Sequence, residues 1–332
     1  MKTSIRLALT GALVGALSLL LASCGGGNTA PPANAQAPRM LAAVQSSVQV
    51  RTRADYYDVI QHIYLAYFGR PADPGGLDFY AGHFLSHNAP NEIVGLAGAY
   101  RNGALDPVIV DVVNSFGTSA ESQALYPGSN DSFVTAVYHN LYSREPDGGK
   151  SFWVGHLDNH DITRADAAIE IMAGSQFADV DVISHKAGMA AAFTSSLNSD
   201  AARAAYSGLD ANVVVRNLLL TVGASTDPAS YQASIDIALN TLINTLKTNT
   251  LNSVLNIIHL RCVGCHSAHP GGFGYTAAPL GIMFDTSAQI HARAEDIYQN
   301  AFVSQFMPFG NATHMTDDER AVIGAWHDLG SP

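Results

Sequence analysis

The sequence predicts an all-α protein, and three observations support this prediction. Apolar side chains recur at helical spacing, for example at Ile235, Leu239 and Leu242. Alternation of apolar and polar residues, which is typical of a half-buried strand, is scarce. The third observation is an internal repeat of helix–turn–helix units. We therefore expect a helical repeat domain over residues 51–250, followed by a smaller helical domain over residues 251–332.

The repeat consists of two copies of one motif. Residues 64–73 align with residues 138–147, and residues 79–84 align with residues 152–157 once a residue is dropped from the second turn. Each copy predicts a helix, a turn rich in Pro, Gly and Asp, and a second helix. We expect the paired aromatic side chains to be core residues that hold the two helices together. The arginine of each turn, Arg70 or Arg144, is expected to clamp that turn.

These two turns also carry a family resemblance. Residues 68–73 (FGRPAD) and 142–147 (YSREPD) share a pattern that the segment 151–153 (SFW) extends after the second turn. On these residues, the stretch 52–200 resembles the bacterial family called domain of unknown function 4214. Ser143 stands where the family pattern has Gly. The resemblance implies an interaction or scaffold module and no particular chemistry.

The N-terminal residues 1–23 predict a lipoprotein signal peptide. Lys2 and Arg6 precede an apolar run that is too short to span a membrane comfortably. The run ends in Leu-Ala-Ser-Cys24, which resembles the bacterial lipobox, so we expect Cys24 to be acylated. Residues 24–50 predict a flexible tether. The expected location is the bacterial cell envelope, with the protein exported and held by its lipid at a membrane surface, the outer membrane being preferred.

The charge balance excludes one class of partner. The chain has 17 Lys and Arg residues against 28 Asp and Glu residues, which gives a formal net charge of −11. Nucleic-acid binding usually requires a basic face, so no nucleic-acid partner is expected.

Cys262, Cys265 and His266 form a Cys-x-x-Cys-His motif, the attachment signature of c-type haem. Two thiols three positions apart can each form a thioether to one vinyl group, and the adjacent imidazole then lies under the iron. The chain has only 3 cysteines, and Cys24 is assigned to the lipid. We therefore expect one covalent haem c with His266 as the proximal iron ligand. Half of a zinc site and a redox-active dithiol are the alternatives.

The distal ligand of the iron is less strongly specified. Met sulfur is the usual partner of His in electron-transfer cytochromes. We assign Met307, since it lies in an irregular loop before Pro308 and far enough along the chain to reach the other haem face. Met283 is expected to form part of the wall of the haem pocket, and Met315 is expected to be a packing residue. Histidine ligation remains the main rival, and the candidates are His269, His291, His314 and His327.

The order of elements in residues 251–332 is that of a small class I cytochrome c. A helix leads into the haem motif, a helix over residues 287–300 follows, then the loop of Met307, then a last helix that begins with a capping box at Thr316. The segments 265–270, 278–281 and 307–320 resemble the cytochrome c domain fused to bacterial membrane urate oxidases. In cytochromes c a loop proline often accepts the N–H of the proximal imidazole, and the resemblance implies this role for Pro279.

These expectations favour a membrane-anchored, monohaem electron carrier that passes single electrons to or from a redox partner protein in the cell envelope. With both axial positions of the iron taken, we expect no catalysis. Two alternatives stay open. The chain is a surface or matrix interaction protein whose haem is accessory, or it is a haem enzyme or sensor with a displaceable distal ligand.

Overall fold

The computed structural model describes residues 50–271 and 274–332. Within these ranges the chain forms helices and turns and no β-strand, so the all-α prediction is confirmed. The helices of the repeat domain are α1 (Tyr57–Phe68), α2 (Pro74–Ser86), α3 (Ile93–Arg101), α4 (Pro107–Thr118), α5 (Ala120–Leu125), α6 (Asn130–Tyr142), α7 (Gly149–Asp158), α8 (Arg164–Ala173), α9 (Ala178–Ser196), α10 (Asp200–Ala205) and α11 (Gly208–Leu220). They are followed by α12 (Tyr231–Arg261), α13 (Ser287–His291), α14 (Ala294–Ile297) and α15 (Asp317–Asp328).

The buried apolar side chains form two separate cores that share one helix. The first core extends from Tyr56 to Leu242, and the second extends from Val254 to Trp326. Helix α12 is continuous over 31 residues and contributes side chains to both cores. The domain boundary predicted after residue 250 therefore falls inside an unbroken helix. The N-terminal part of α12 packs in the first core and its C-terminal part packs in the second, so no turn or linker separates the two cores along this helix.

The two repeat units adopt the same local geometry. Helices α1 and α6 end at residues in the left-handed conformation, Gly69 with φ 59° and Ser143 with φ 55°. A left-handed residue is the usual helix stop, and Gly adopts it without strain. Ser143 adopts it as well, and its hydroxyl donates a hydrogen bond to the carbonyl of Leu220 at 3.1 Å. In each turn an aspartate, Asp73 or Asp147, accepts an N–H of the helix that follows.

The turn arginines form ion pairs, as the clamp prediction requires. Arg70 binds both carboxylate oxygens of Glu121 at 2.7 and 2.8 Å, and Arg144 binds Asp179 at 2.7 and 3.0 Å. Each guanidinium also lies over a tyrosine of the preceding helix. The distance to the ring centre is 5.4 Å for Tyr64 in the first unit and 5.2 Å for Tyr138 in the second. The arginines therefore fasten each turn to a helix further along the chain.

The aromatic prediction is confirmed only in part. Tyr64 is buried, and Tyr80 and Trp153 pack against the first core. Phe79 and Phe152, however, are 59% and 56% exposed. Each of these phenylalanines sits on the outer face of its helix and contacts a histidine one turn later, at ring distances of 4.6 and 4.5 Å. Adjacent helical residues lie on different faces, so only one residue of each aromatic pair reaches the core.

Lys186 is a charged side chain inside the first core. Lys186 in α9 is 1% exposed, and its Nζ donates to the carbonyl of Asn140 at 2.6 Å. That carbonyl belongs to the last turn of α6, where carbonyls lack a helical partner. Burial lowers the pKa of Lys186 to about 7 from the ordinary value of 10.5.

This lysine is expected to make stability depend on pH. Between about pH 7 and pH 10.5 the unfolded chain holds the Lys186 proton and the folded chain does not, so the free energy of unfolding rises with pH in this window. Lys186→Met, which cannot titrate, is expected to flatten the rise. Urea unfolding at several pH values in the window measures the slope, with Lys150→Met as the matched control at a partly exposed lysine paired with Asp131. Equal slopes in Lys186→Met and the wild-type protein would contradict the prediction.

The second core positions the candidate site. The helix predicted over residues 287–300 is broken, because Arg293 leaves the helical conformation between α13 and α14. A π-helical turn, Tyr298–Val303, follows α14 and leads into the loop of Met307. The capping box at Thr316 is confirmed, and α15 ends at Asp328. Met315, a predicted packing residue, is buried in this core, and Trp326 is buried there as well.

No helix in the described ranges is both long enough and apolar enough to cross a membrane. The signal peptide, Cys24 and residues 24–49 of the tether lie outside the described residues.

Candidate haem site

The two cysteines and the histidine of the motif share one turn at the end of α12. The main-chain N–H groups of Cys265 and His266 both donate to the carbonyl of Cys262, at 3.1 and 2.8 Å. Val254 and Ile258 are buried on the last turns of α12 and fix this helix end on the second core. Both thiols are free and not joined in a disulfide. The three side chains that haem c requires are therefore presented from one compact turn.

His266 is oriented by a backbone carbonyl. Its Nδ1 lies 3.1 Å from the carbonyl oxygen of Ile282. Because a carbonyl only accepts, Nδ1 carries the proton and Nε2 is the nitrogen left to bind a metal. The Phe284 ring lies 5.3 Å from the imidazole, and the Phe284 N–H donates to the carbonyl of His266 at 2.9 Å. The segment 282–284 thus holds both the ring and the backbone of His266.

Pro279 was expected to supply the carbonyl that accepts the N–H of His266, but Ile282 supplies it. Pro279 begins a tight turn, and its carbonyl accepts the N–H of Ile282 at 3.1 Å. Leu280 within the turn has φ 56°. The turn reverses the chain, so the carbonyl that reaches the imidazole comes three residues later. The prediction identified the correct loop and the kind of bond but assigned the wrong residue.

The loop of Met307 is fixed by its backbone. The Met307 N–H donates to the carbonyl of Asn300 at 2.9 Å, and its own carbonyl accepts from Arg320 at 2.8 Å. The side chain is half-buried, whereas Met315 lies in the second core. Met307 is therefore the loop methionine that is held in place without being used for packing.

The four rival histidines have different surroundings. The Nε2 of His291 lies 2.7 Å from the carbonyl of Pro332. The Nε2 of His327 lies 2.9 Å from Glu295, and its ring stacks on Tyr298 at 3.8 Å. The two remaining candidates, His269 and His314, are exposed. Two of the four rivals are thus engaged elsewhere through the nitrogen that would bind iron.

The thiols do not resemble those of a redox-active dithiol. Burial, with a smaller contribution from Cys265, raises the pKa of the Cys262 thiol to about 12, and burial also raises the pKa of Cys265. Catalytic dithiols instead have a lowered pKa, which supplies the reactive thiolate. Within residues 50–271 and 274–332, no three His, Cys, Asp or Glu side chains are grouped as a metal site would require.

Exposed apolar side chains lie on the segments that carry the candidate ligands. Leu280 projects from the turn that leads to Ile282, and Phe306 and Phe309 flank Met307 with ring centres 5.5 Å apart. All three side chains are mostly exposed. Two thiols, an imidazole with Nε2 available and a loop methionine fit the donor set of haem c.

Sequence reasoning missed three residues of this region. Ile282 orients the imidazole, and Arg261 and Arg320 bind the loop of Met307. Arg261 directly precedes Cys262, so its position beside the motif is a signal that the sequence contains. Ile282 and Arg320 act through the direction of the backbone and through burial, for which the sequence contains no comparable signal.

The comparisons with known proteins concern the repeat domain. Residues 113–179 match the family model described as Domain of unknown function (DUF4214). The match begins in α4, covers the second helix–turn–helix unit with Ser143, and ends at the start of α9. No curated protein and no solved structure matches the chain. The resemblance predicted for residues 52–200 is therefore supported over this part, and the second repeat unit with its flanking helices is similar to the DUF4214 family.

Proposed function

We propose that this protein is a lipid-anchored, monohaem c-type cytochrome that transfers single electrons in the bacterial cell envelope. The observation that carries the proposal is the turn of Cys262, Cys265 and His266, in which the hydrogen bond to Ile282 leaves Nε2 of the imidazole for the iron. Covalent attachment of haem c uses two thiols and an oriented imidazole in this arrangement.

Each residue has a defined part in this proposal. Cys262 and Cys265 would hold the macrocycle by thioethers, and His266 and Met307 would be the side chains that bind its iron. Bound haem c would supply one-electron chemistry. An iron bound by both side chains would have no position free for a substrate. The protein then tunes the redox potential and offers a surface to a redox partner protein.

The anchor is a separate part of the proposal. It rests on the signal-like residues 1–23 and on Cys24, which would carry the lipid. Export agrees with the haem motif, because c-type haem is attached outside the bacterial cytoplasm. Two independent features of the sequence therefore favour the same compartment.

The test is an absorption spectrum of the exported full-length protein, oxidised and then reduced, with and without carbon monoxide. We expect sharp reduced c-type bands, the weak long-wavelength band of Met-ligated ferric haem, and no change with carbon monoxide, because Met307 occupies the distal position. A clear carbon monoxide shift would favour a haem enzyme or sensor. Absence of haem bands from a correctly matured preparation would refute the electron-carrier proposal.

A second candidate function is supported by the repeat domain. The DUF4214 match and the exposed Phe79 and Phe152 favour a surface or matrix interaction protein in which any haem is accessory. This candidate takes precedence if the exported protein shows no haem bands.

A further inference from the structure

Arg320 is a buried cation that binds backbone carbonyls. It is 5% exposed, and within the described residues it forms no ion pair with a carboxylate. Its Nη1 donates to the carbonyls of Ala301 and Met307, the latter at 2.8 Å, and its Nη2 lies 3.5 Å from the side-chain oxygen of Asn311. A buried charge is retained at a cost in desolvation, which is repaid only by hydrogen bonds of good geometry. Arg320 therefore fixes the π-helical turn and the start of the Met307 loop together.

Arg261 holds the other end of the same loop. Its Nη1 donates to the carbonyl of Thr313 at 2.6 Å, and its Nε and Nη2 bind the carboxylate of Glu319 at 2.9 to 3.1 Å. Arg261 is the last residue of α12 and directly precedes Cys262. One side chain thus joins the attachment turn, the loop and the first turn of α15.

Between the two arginines the loop is also closed internally. The side-chain oxygen of Asn311 accepts the N–H of Met315 at 2.9 Å, and its amide donates to the carbonyl of Met315 at 3.1 Å. Two of the carbonyls that the arginines bind, those of Met307 and Thr313, lie at the two ends of segment 307–313, which begins with the proposed distal ligand.

We propose that Arg261 and Arg320 are positioning residues that keep Met307 on the iron and so determine how easily the distal bond opens. The inference rests on the proposed function, since it presumes a haem with Met307 as a ligand. Loss of either guanidinium frees one end of the loop. Opening of the distal bond then exposes an iron position and removes the Met contribution that raises the redox potential.

The experiment compares full-length, haem-loaded variants. Arg320→Lys keeps the charge but loses the planar fork that reaches two carbonyls. Arg261→Gln tests the same loop at a less buried position. Arg293→Gln is the matched control, because Arg293 forms only an exposed pair with Asp296 in the same domain. Haem content and far-ultraviolet circular dichroism are measured first for each variant.

The expected result is a change confined to the distal bond. Arg320→Lys and Arg261→Gln should retain covalent haem, lose part of the Met-ligation band, fall in redox potential and show a carbon monoxide shift that the wild-type protein does not show, because each loses a charge-assisted hydrogen bond that holds the loop. Arg293→Gln should match the wild type. If Arg320→Lys fails to fold, the result for Arg261→Gln alone tests the inference.

Wild-type band intensity, potential and carbon monoxide response in folded Arg261→Gln would overturn the inference. Failure of the proposed function is distinguishable, since the wild-type protein itself would then lack haem or lack the Met-ligation band.

Discussion

A variant with both Cys262 and Cys265 replaced by Ala is expected to contain no haem that survives denaturation. The two thiols are the proposed attachment points and share one turn with His266, and thioethers are the only bonds that hold haem to an unfolded chain. Haem staining after denaturing electrophoresis, together with the spectrum of the purified protein, measures the effect. The loss should be complete, and each single variant should keep one thioether and a weaker stain.

Val263→Ala is the matched control for this experiment. Val263 lies between the two cysteines in the same turn and packs partly against the second core, but it has no atom that binds haem. It should therefore stain like the wild-type protein. Covalent haem in the double-alanine variant would show that the attachment lies elsewhere and would remove the main support for an electron carrier.

The second large effect is expected at Glu121 in the repeat domain. Its carboxylate accepts hydrogen bonds from Arg70, Arg216 and Asn212 at 2.7 to 2.9 Å. The Glu121 side chain is only 19% exposed, and both guanidinium groups are more buried still. Glu121→Ala would leave two buried cations without their shared anion, so we expect it to lower the free energy of unfolding by about 3 kcal/mol.

The equivalent clamp of the second unit supplies the control. Asp179 pairs with Arg144 alone, and the Arg144 side chain is 36% exposed, so solvent can replace much of the lost interaction. Asp179→Ala should therefore lower the free energy of unfolding by about 1 kcal/mol or less. Urea unfolding followed by far-ultraviolet circular dichroism measures both variants. Equal costs at the two sites would contradict the view that burial and shared partners make the first clamp stronger.

Local patterns predicted several helices and some of their ends. Helical spacing predicted the two parts of α12 but not their continuity, the aligned turns predicted that α1 and α6 end alike, and the Thr316 capping box predicted the start of α15. Each of these features depends on residues within a few positions of one another, where propensity, capping and hydrophobic period act directly.

The remaining features depend on contacts between distant segments. Arg70 pairs with Glu121 on α5, whereas Arg144 pairs with Asp179 on α9. The sequence separation between the turn arginine and its carboxylate therefore differs between the two copies of the repeat. That the carbonyl of Ile282, and not that of Pro279, accepts from His266 depends on the direction of one carbonyl after a tight turn. Neither the packing of helices nor the course of a turn is encoded in a local pattern.

The continuity of α12 has a consequence for the spacing of the two halves of this chain. Between Leu246 and Val254 the helix passes from one core to the other, and no residue of 247–253 belongs to either apolar core. Each residue inserted there would advance the attachment turn by about 1.5 Å and rotate it by about 100° about the helix axis. The number of residues between the two cores therefore fixes the direction in which α12 presents the Cys-x-x-Cys-His motif. Inserting or removing one or two residues would rotate the motif away from its present direction. A change of about seven residues, close to two full turns, would nearly restore that direction.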